Sequence, residues 1–229
     1  MTPDQVFVAN LVAVLLVAVL LGLAVRQRAL LCWSFVAYLV MAVVTNRLIV
    51  WWPERFYTLR FWVVKESLYA ALMALIAFEL AWVALEAFPR ARRLSLLAVA
   101  VVAGVTLVVA SAARSGDQAA RVGEFMAAAQ TGAVWTFVVL LAVASWYRLP
   151  LHAWHRSIAL GFALYGGVYG ALLATVGHFG WSAHRYVAPL EPAAYAATIG
   201  LWVLAAWRAE DRSVLVPETR RRLQPWVRT

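Results

Sequence analysis

This chain reads as an all-α polytopic membrane protein of seven transmembrane helices, N-terminus outside and C-terminus cytoplasmic. Three features point there. Its 229 residues are 65% hydrophobic and 14% charged, with a mean hydropathy of +0.78, whereas a soluble domain is roughly half apolar and a quarter charged. Seven apolar segments each approach the ~20 residues that a helix needs to cross a bilayer. The loops between them leave no room for a folded soluble domain, so the chain divides into a transmembrane domain, 1–208, and a basic cytoplasmic tail, 209–229.

The first segment, 5–25, has Asp4 where a signal peptide carries its basic residues, and its arginines follow the apolar run; it is expected to be a retained helix. The second, 29–51, carries the single cysteine, Cys32, and ends in Asn46 and Arg47 before the aromatic run WWPERFY. The third, 61–88, is long enough to span yet holds Lys65, Glu66, Glu79 and Glu86, and Lys65 is the only lysine in the chain. Ionisable groups at membrane depth face a partner or a water-filled cavity. Lys65, Tyr69, Glu79 and Glu86 fall within about a third of the helix circumference, so this face is expected to turn toward other helices. The fourth segment, 94–113, is featureless. The fifth, 125–147, opens near Glu124 and carries Gln130 and Thr131. The sixth, 157–178, contains Gly166 and Gly170 as a GxxxG pair beside Ala163, Gly167 and Ala171, spacings that let helix backbones approach closely. The seventh, 187–207, follows a loop with Trp181, His184 and Arg185.

Orientation follows from the basic residues in alternate loops. Thirteen arginines, at 26, 28, 90, 92, 93, 148, 156, 208, 212, 220, 221, 222 and 228, fall on one side; Lys65 and arginines 47, 55, 60, 114, 121 and 185, seven residues, fall on the other. The first side is assigned to the cytoplasm. The net charge of +9 is then membrane anchoring rather than nucleic-acid binding, and Arg220, Arg221 and Arg222 are placed to meet anionic headgroups or a protein partner. The arginine-rich, alanine-rich, lysine-poor composition fits a bacterial inner membrane.

Candidate ligand-binding or coupling residues are Arg47, Lys65, Glu66, Tyr69, Glu79, Tyr165, Tyr169 and His178. Most gather near the outer end, where aromatic residues mixed with both signs of charge suit a small-ligand pocket; an ordinary aromatic and snorkelling interface is the alternative. Arg47 is the expected partner of Glu66. Glu79 lies in the inner half of its segment, with Ser34, Tyr38, Ser145, Tyr165 and Thr198 at similar depth as hydrogen-bond donors. Either it relays protons, partly protonated at neutral pH, or it braces two helices. No cofactor or metal is expected: the histidines do not pair at one depth, no CxxC occurs, and the seventh segment lacks the lysine of a retinal Schiff base.

The stretches FYTLRFWVVKESLYAALMALIAFELAW with a following PRARR, and RSIALGFALYGGVYG with a later PLEPAAYAATIGLWVLAAW, resemble small uncharacterised seven-helix membrane proteins of acidobacterial type. The organisation is also similar to the seven-helix sensor region of some histidine kinases, although only 21 residues follow Arg208, too few for an output domain. Neither resemblance implies functional residues. Three functions are open on this sequence: a non-enzymatic sensor or membrane-complex subunit with an outward-facing polar pocket, a small proton-coupled transporter using Glu79 and Glu66, and an intramembrane lipid-modifying enzyme using glutamate and histidine.

Overall fold

The computed structural model describes residues 3–56, 58–85, 118–146, 151–179, 185 and 189–208. Among them the chain is all-helical: α1 (Pro3–Val25), α2 (Trp33–Trp51), the single turn α3 (Pro53–Phe56), α4 (Leu59–Ala84), α5 (Gln118–Trp146), α6 (Ala153–Phe179) and α7 (Leu190–Trp207). The segment expected at 94–113, the tail with Arg220, Arg221 and Arg222, and Glu86, Trp181 and His184 lie outside the described residues. So do the side chains of Glu124 and Gln130.

Four helices are long and apolar enough to cross a membrane: Gln5–Val25, Trp33–Trp51, Arg60–Ala84 and Leu190–Trp207. Every long helix also turns large apolar side chains outward, among them Phe7 and Val14 on α1, Val44 on α2, Leu68 on α4, Val139 on α5, Leu164 on α6 and Leu204 on α7. A soluble bundle would not leave apolar surface exposed around its whole circumference.

The six long helices form a ring in chain order: α1 packs on α2, α2 on α4, α4 on α5, α5 on α6, α6 on α7, and α7 returns to α1. Exposed tryptophans mark both ends. Trp51, Trp52 and Trp62 lie where α2 ends and α4 begins; Trp33, Trp82, Trp146 and Trp207 lie at the other. Indole rings favour such interfacial levels.

The ring closes through α7, by one device used twice. Trp202 donates its indole N–H to the Ser157 carbonyl of α6 at 3.1 Å, and Trp207 donates to the Ala18 carbonyl of α1 at 3.0 Å. One turn beyond each acceptor stands a glycine, Gly161 or Gly22, and a Cβ there would run into the same indole. The two tryptophans are five residues apart, about 140° around the helix, so they reach opposite neighbours.

Beneath them an aromatic knot fills one half of the ring. Phe35 meets Trp202 edge-on at 4.9 Å and Trp154 at 5.5 Å, and Phe137 stacks on Phe162 at 4.8 Å. All five are essentially inaccessible to solvent. Such pairs each add about 0.5–1.5 kcal/mol beyond the area they bury.

The boundaries differ from the sequence pattern at one informative place. The second segment does not run as a helix from residue 29: Ala29–Leu31 form a 3-10 turn, and Cys32, at φ −153, breaks it from α2. α1 ends in a Schellman motif, with Arg28 N–H on the Leu23 carbonyl and Gln27 N–H on the Ala24 carbonyl. Gln27 occupies the left-handed position, at φ 54. Polar tertiary bonds at this corner win over continuous helix.

Candidate functional site

Two polar sites lie at opposite ends of the ring, and they are chemically different. The first is a lock. Glu79 of α4 reaches the N-terminus of α2, where its carboxylate accepts from the backbone N–H groups of Trp33 (3.2 Å) and Ser34 (3.1 Å), from the Ser34 hydroxyl, and from the Cys32 thiol (3.4 Å). The first N–H groups of a helix have no intrahelical acceptor; here a side chain from another helix supplies it. Cys32 itself offers no cap. At the same end Arg28 donates to the Ala205 and Arg208 carbonyls, both at 3.0 Å, and Arg26 to that of Trp207. Cations thus meet the C-terminus of α7, where the helix dipole is negative. His155 bonds the Leu31 carbonyl at 2.8 Å.

Of the donors expected for Glu79, Ser34 bonds it. Tyr38, Tyr165 and Thr198 do not, and neither does Ser145. The reason is depth: α4 gives way at Ala84, so Glu79 lies level with the start of α2 rather than with the bundle's middle.

The second site is a cavity of about 720 Å³ at the other end, large enough for a drug-sized ligand. Its inner part is apolar, with Val12, Leu16, Ala42, Met73 and Phe162; Gln5, Asn46, Lys65, Glu66 and Glu191 lie toward the opening. Phe162 belongs to the aromatic knot as well, so the knot is the cavity's floor.

Five of the chain's eight tyrosines line it: Tyr38 from α2, Tyr69 from α4, Tyr165 and Tyr169 from α6, and Tyr195 from α7. Their rings form two groups, Tyr38 with Tyr69 at 5.3 Å, and Tyr165 with Tyr195 at 5.2 Å and with Tyr169 at 6.1 Å. The Tyr69 hydroxyl lies 2.9 Å from Thr45 Oγ1. Since the Thr45 proton goes to the Met41 carbonyl, Tyr69 is the donor.

The Lys65 ammonium lies 2.9 Å from Glu66 Oε1 and 5.8 Å from the centre of the Tyr69 ring. Consecutive helical residues diverge by about 100° and do not ordinarily meet; these two meet because both side chains turn into the cavity. Both are mostly buried, at 19% and 14% exposure.

Arg47, expected on Glu66, instead donates to Asn10 Oδ1 at 2.8 Å and the Ala9 carbonyl at 3.1 Å. Its position on α2 faces α1 rather than α4, so it ties the first two helices beside the cavity. His178, near the end of α6, is exposed against Phe179 and does not line the cavity.

The structure therefore brings Lys65, Glu66, Tyr69, Tyr165 and Tyr169 together and leaves Arg47, Glu79 and His178 elsewhere. Tyr195 is the residue that sequence reasoning missed, and Tyr38 was assigned to the wrong site. A signal for both existed: five tyrosines lie inside an apolar segment rather than at its edge, where an interfacial belt would put them, and those five converge.

The glycine stripe also divides. Gly166 packs on Val134 of α5, where a Cβ would overlap the valine, whereas Gly167 and Gly170 have open space before them and Gly170 lines the cavity. The close approach expected at both members of the GxxxG pair occurs at one. Among the described residues no group of three or more His, Cys, Asp or Glu side chains could hold a metal ion. The chain matches no protein-family model, no curated protein and no solved structure.

Proposed function

We propose that this protein is a non-enzymatic seven-helix sensor or membrane-complex subunit of a bacterial inner membrane, which binds a small molecule in the tyrosine-walled cavity. The single observation that carries the reading is a ligand-sized cavity with an apolar floor, a few polar groups at its opening, and a polar lock beyond the floor. An apolar floor packed on the aromatic knot suits holding a molecule more than passing it. Orientation by the arginine count puts the opening outside and the lock, with the basic tail bearing Arg220, Arg221 and Arg222, in the cytoplasm.

The carrier reading draws less support. Glu66 and Glu79 are separated by 13 positions, about 20 Å along α4, with the knot of Phe35, Phe162 and Trp202 packed in the ring between the two ends.

The test is a thermal-shift screen of the purified protein in nanodiscs, run beside Gly170→Phe. That variant places a ring where the wild type has open space and so should fill the cavity without disturbing a helix contact. Compounds that stabilise the wild type and leave Gly170→Phe unchanged are expected. If every stabilising compound acts equally on both proteins, the cavity is not the binding site.

A further inference from the structure

We propose that the cavity takes a neutral aromatic carbonyl compound, its oxygen accepting from the hydroxyls of Tyr165 and Tyr169 and its apolar body against Val12, Leu16 and Phe162. This deepens the reading of the cavity as a ligand site and rests on it.

The inner wall sets the first requirement. Val12, Leu16, Met73 and Phe162 line it from three helices, and none of them can pair with a charge. An ion carried in among them would be desolvated without compensation, whereas an apolar ring gains by leaving water. The Tyr165 and Tyr195 rings, 5.2 Å apart, offer a flat aromatic body faces and edges to pack on.

The charged residues at the opening do not call for a charged ligand. Lys65 and Glu66 form an ion pair at 2.9 Å, and Glu66 and Glu191 each make further interactions. A ligand ion would have to displace contacts that the fold already makes; a neutral molecule leaves them intact.

Hydroxyls supply the orientation. Tyr69 is engaged, since it donates to Thr45, whose own proton goes to the Met41 carbonyl. The hydroxyls of Tyr165 and Tyr169 have no hydrogen-bond partner among the described residues, and neither is sealed in by protein. Both residues line the cavity. Four positions apart on α6, they lie one turn apart on one face. Each is a donor without an acceptor, and a carbonyl oxygen, with two lone pairs, can accept from both. A few placed polar groups on an apolar wall are what orient a small ligand.

The experiment uses four probes with one phenyl ring and nearly one shape: acetophenone, α-methylstyrene (in which a CH₂ replaces the carbonyl oxygen), benzoate and benzamidinium. Each is titrated calorimetrically into the full chain in nanodiscs, with Gly170→Phe nanodiscs as the blank for partition into lipid. Acetophenone is expected to bind about tenfold tighter than α-methylstyrene, the worth of about one hydrogen bond, with both ions weakest. The double variant Tyr165→Phe/Tyr169→Phe keeps both rings and should bring acetophenone to the level of α-methylstyrene. Retained α-methylstyrene binding reports that the cavity is still formed.

If α-methylstyrene binds wild type as tightly as acetophenone, or the double variant keeps the preference for the carbonyl, the inference is overturned and the cavity remains a ligand site. Tightest binding by benzoate or benzamidinium overturns it in the same way. If none of the four binds above the blank, the inference and the cavity reading fall together.

Discussion

Glu79 shows how geometry bears on the two roles its segment leaves open, a proton relay or a brace between helices. Its carboxylate receives two backbone N–H groups and a hydroxyl at the start of α2, the contacts of a brace. Glu79→Leu strands those donors and should cost about 1–3 kcal/mol, the range for unsatisfied buried polar groups and lost caps. Glu79→Gln keeps one carbonyl acceptor but turns an amide N–H₂ toward other donors, so it should fall between leucine and wild type. Chemical denaturation in detergent checks the order; leucine as stable as wild type would remove the capping role.

Cys32 is the second residue-scale case. It is 1% exposed and precedes the α2 span, and burial, then the neighbouring Glu79 carboxylate, push its thiol up to about 12. The thiolate is the nucleophile, and an unperturbed thiol titrates near 8.5. A folded-state value raised this far leaves almost no thiolate at pH 8. Maleimide labelling of the native protein at pH 8 should therefore be at least about tenfold slower than after denaturation. Equal rates would place Cys32 at the surface.

At the scale of elements, glycine positions separate packing from cavity. Gly161→Ala and Gly22→Ala force a Cβ into an indole that is also hydrogen-bonded, and each should cost about 1–3 kcal/mol by overpacking. Gly166→Ala meets the Val134 side chain and belongs with them. Gly170→Ala faces open space; removing a helix-interior glycine there should leave stability unchanged or raise it by up to about 1 kcal/mol. Melting temperatures of the four variants test the division. A Gly170→Ala loss as large as that of Gly161→Ala would contradict it. Trp202→Phe is a companion test: it keeps the ring but loses the indole donor, and should cost about 1 kcal/mol.

At the scale of the whole molecule the ring has two unlike ends. One is tied by Arg28, Glu79 and His155 into helix termini and carbonyls; the other opens into the cavity. Single cysteines introduced at Gln5 and Leu190, in a Cys32→Ser background, should be labelled from outside intact cells by an impermeant maleimide. A cysteine at Trp207 should react only after permeabilisation. The reverse pattern would turn the cavity to the cytoplasm and invert the sensor proposal.

Helical membrane character was determined by the sequence alone, because apolar length and low charge are properties of each segment by itself. So was the inward turn of one face of α4, since Lys65, Tyr69 and Glu79 share a stripe whatever their neighbours are. Partner choice was not legible. Whether Arg47 meets Glu66 or Ala9 depends on which way α2 is rotated, and which of five possible donors meets Glu79 depends on where α2 starts. The tertiary structure decided both, because a helix break at Cys32 and the packing of α2 between α1 and α4 set positions to within a hydrogen bond, whereas a segment boundary read from hydropathy leaves a whole turn open. The cavity likewise exists only in the assembled ring: four helices each contribute one or two tyrosines, and no one of them encloses a volume.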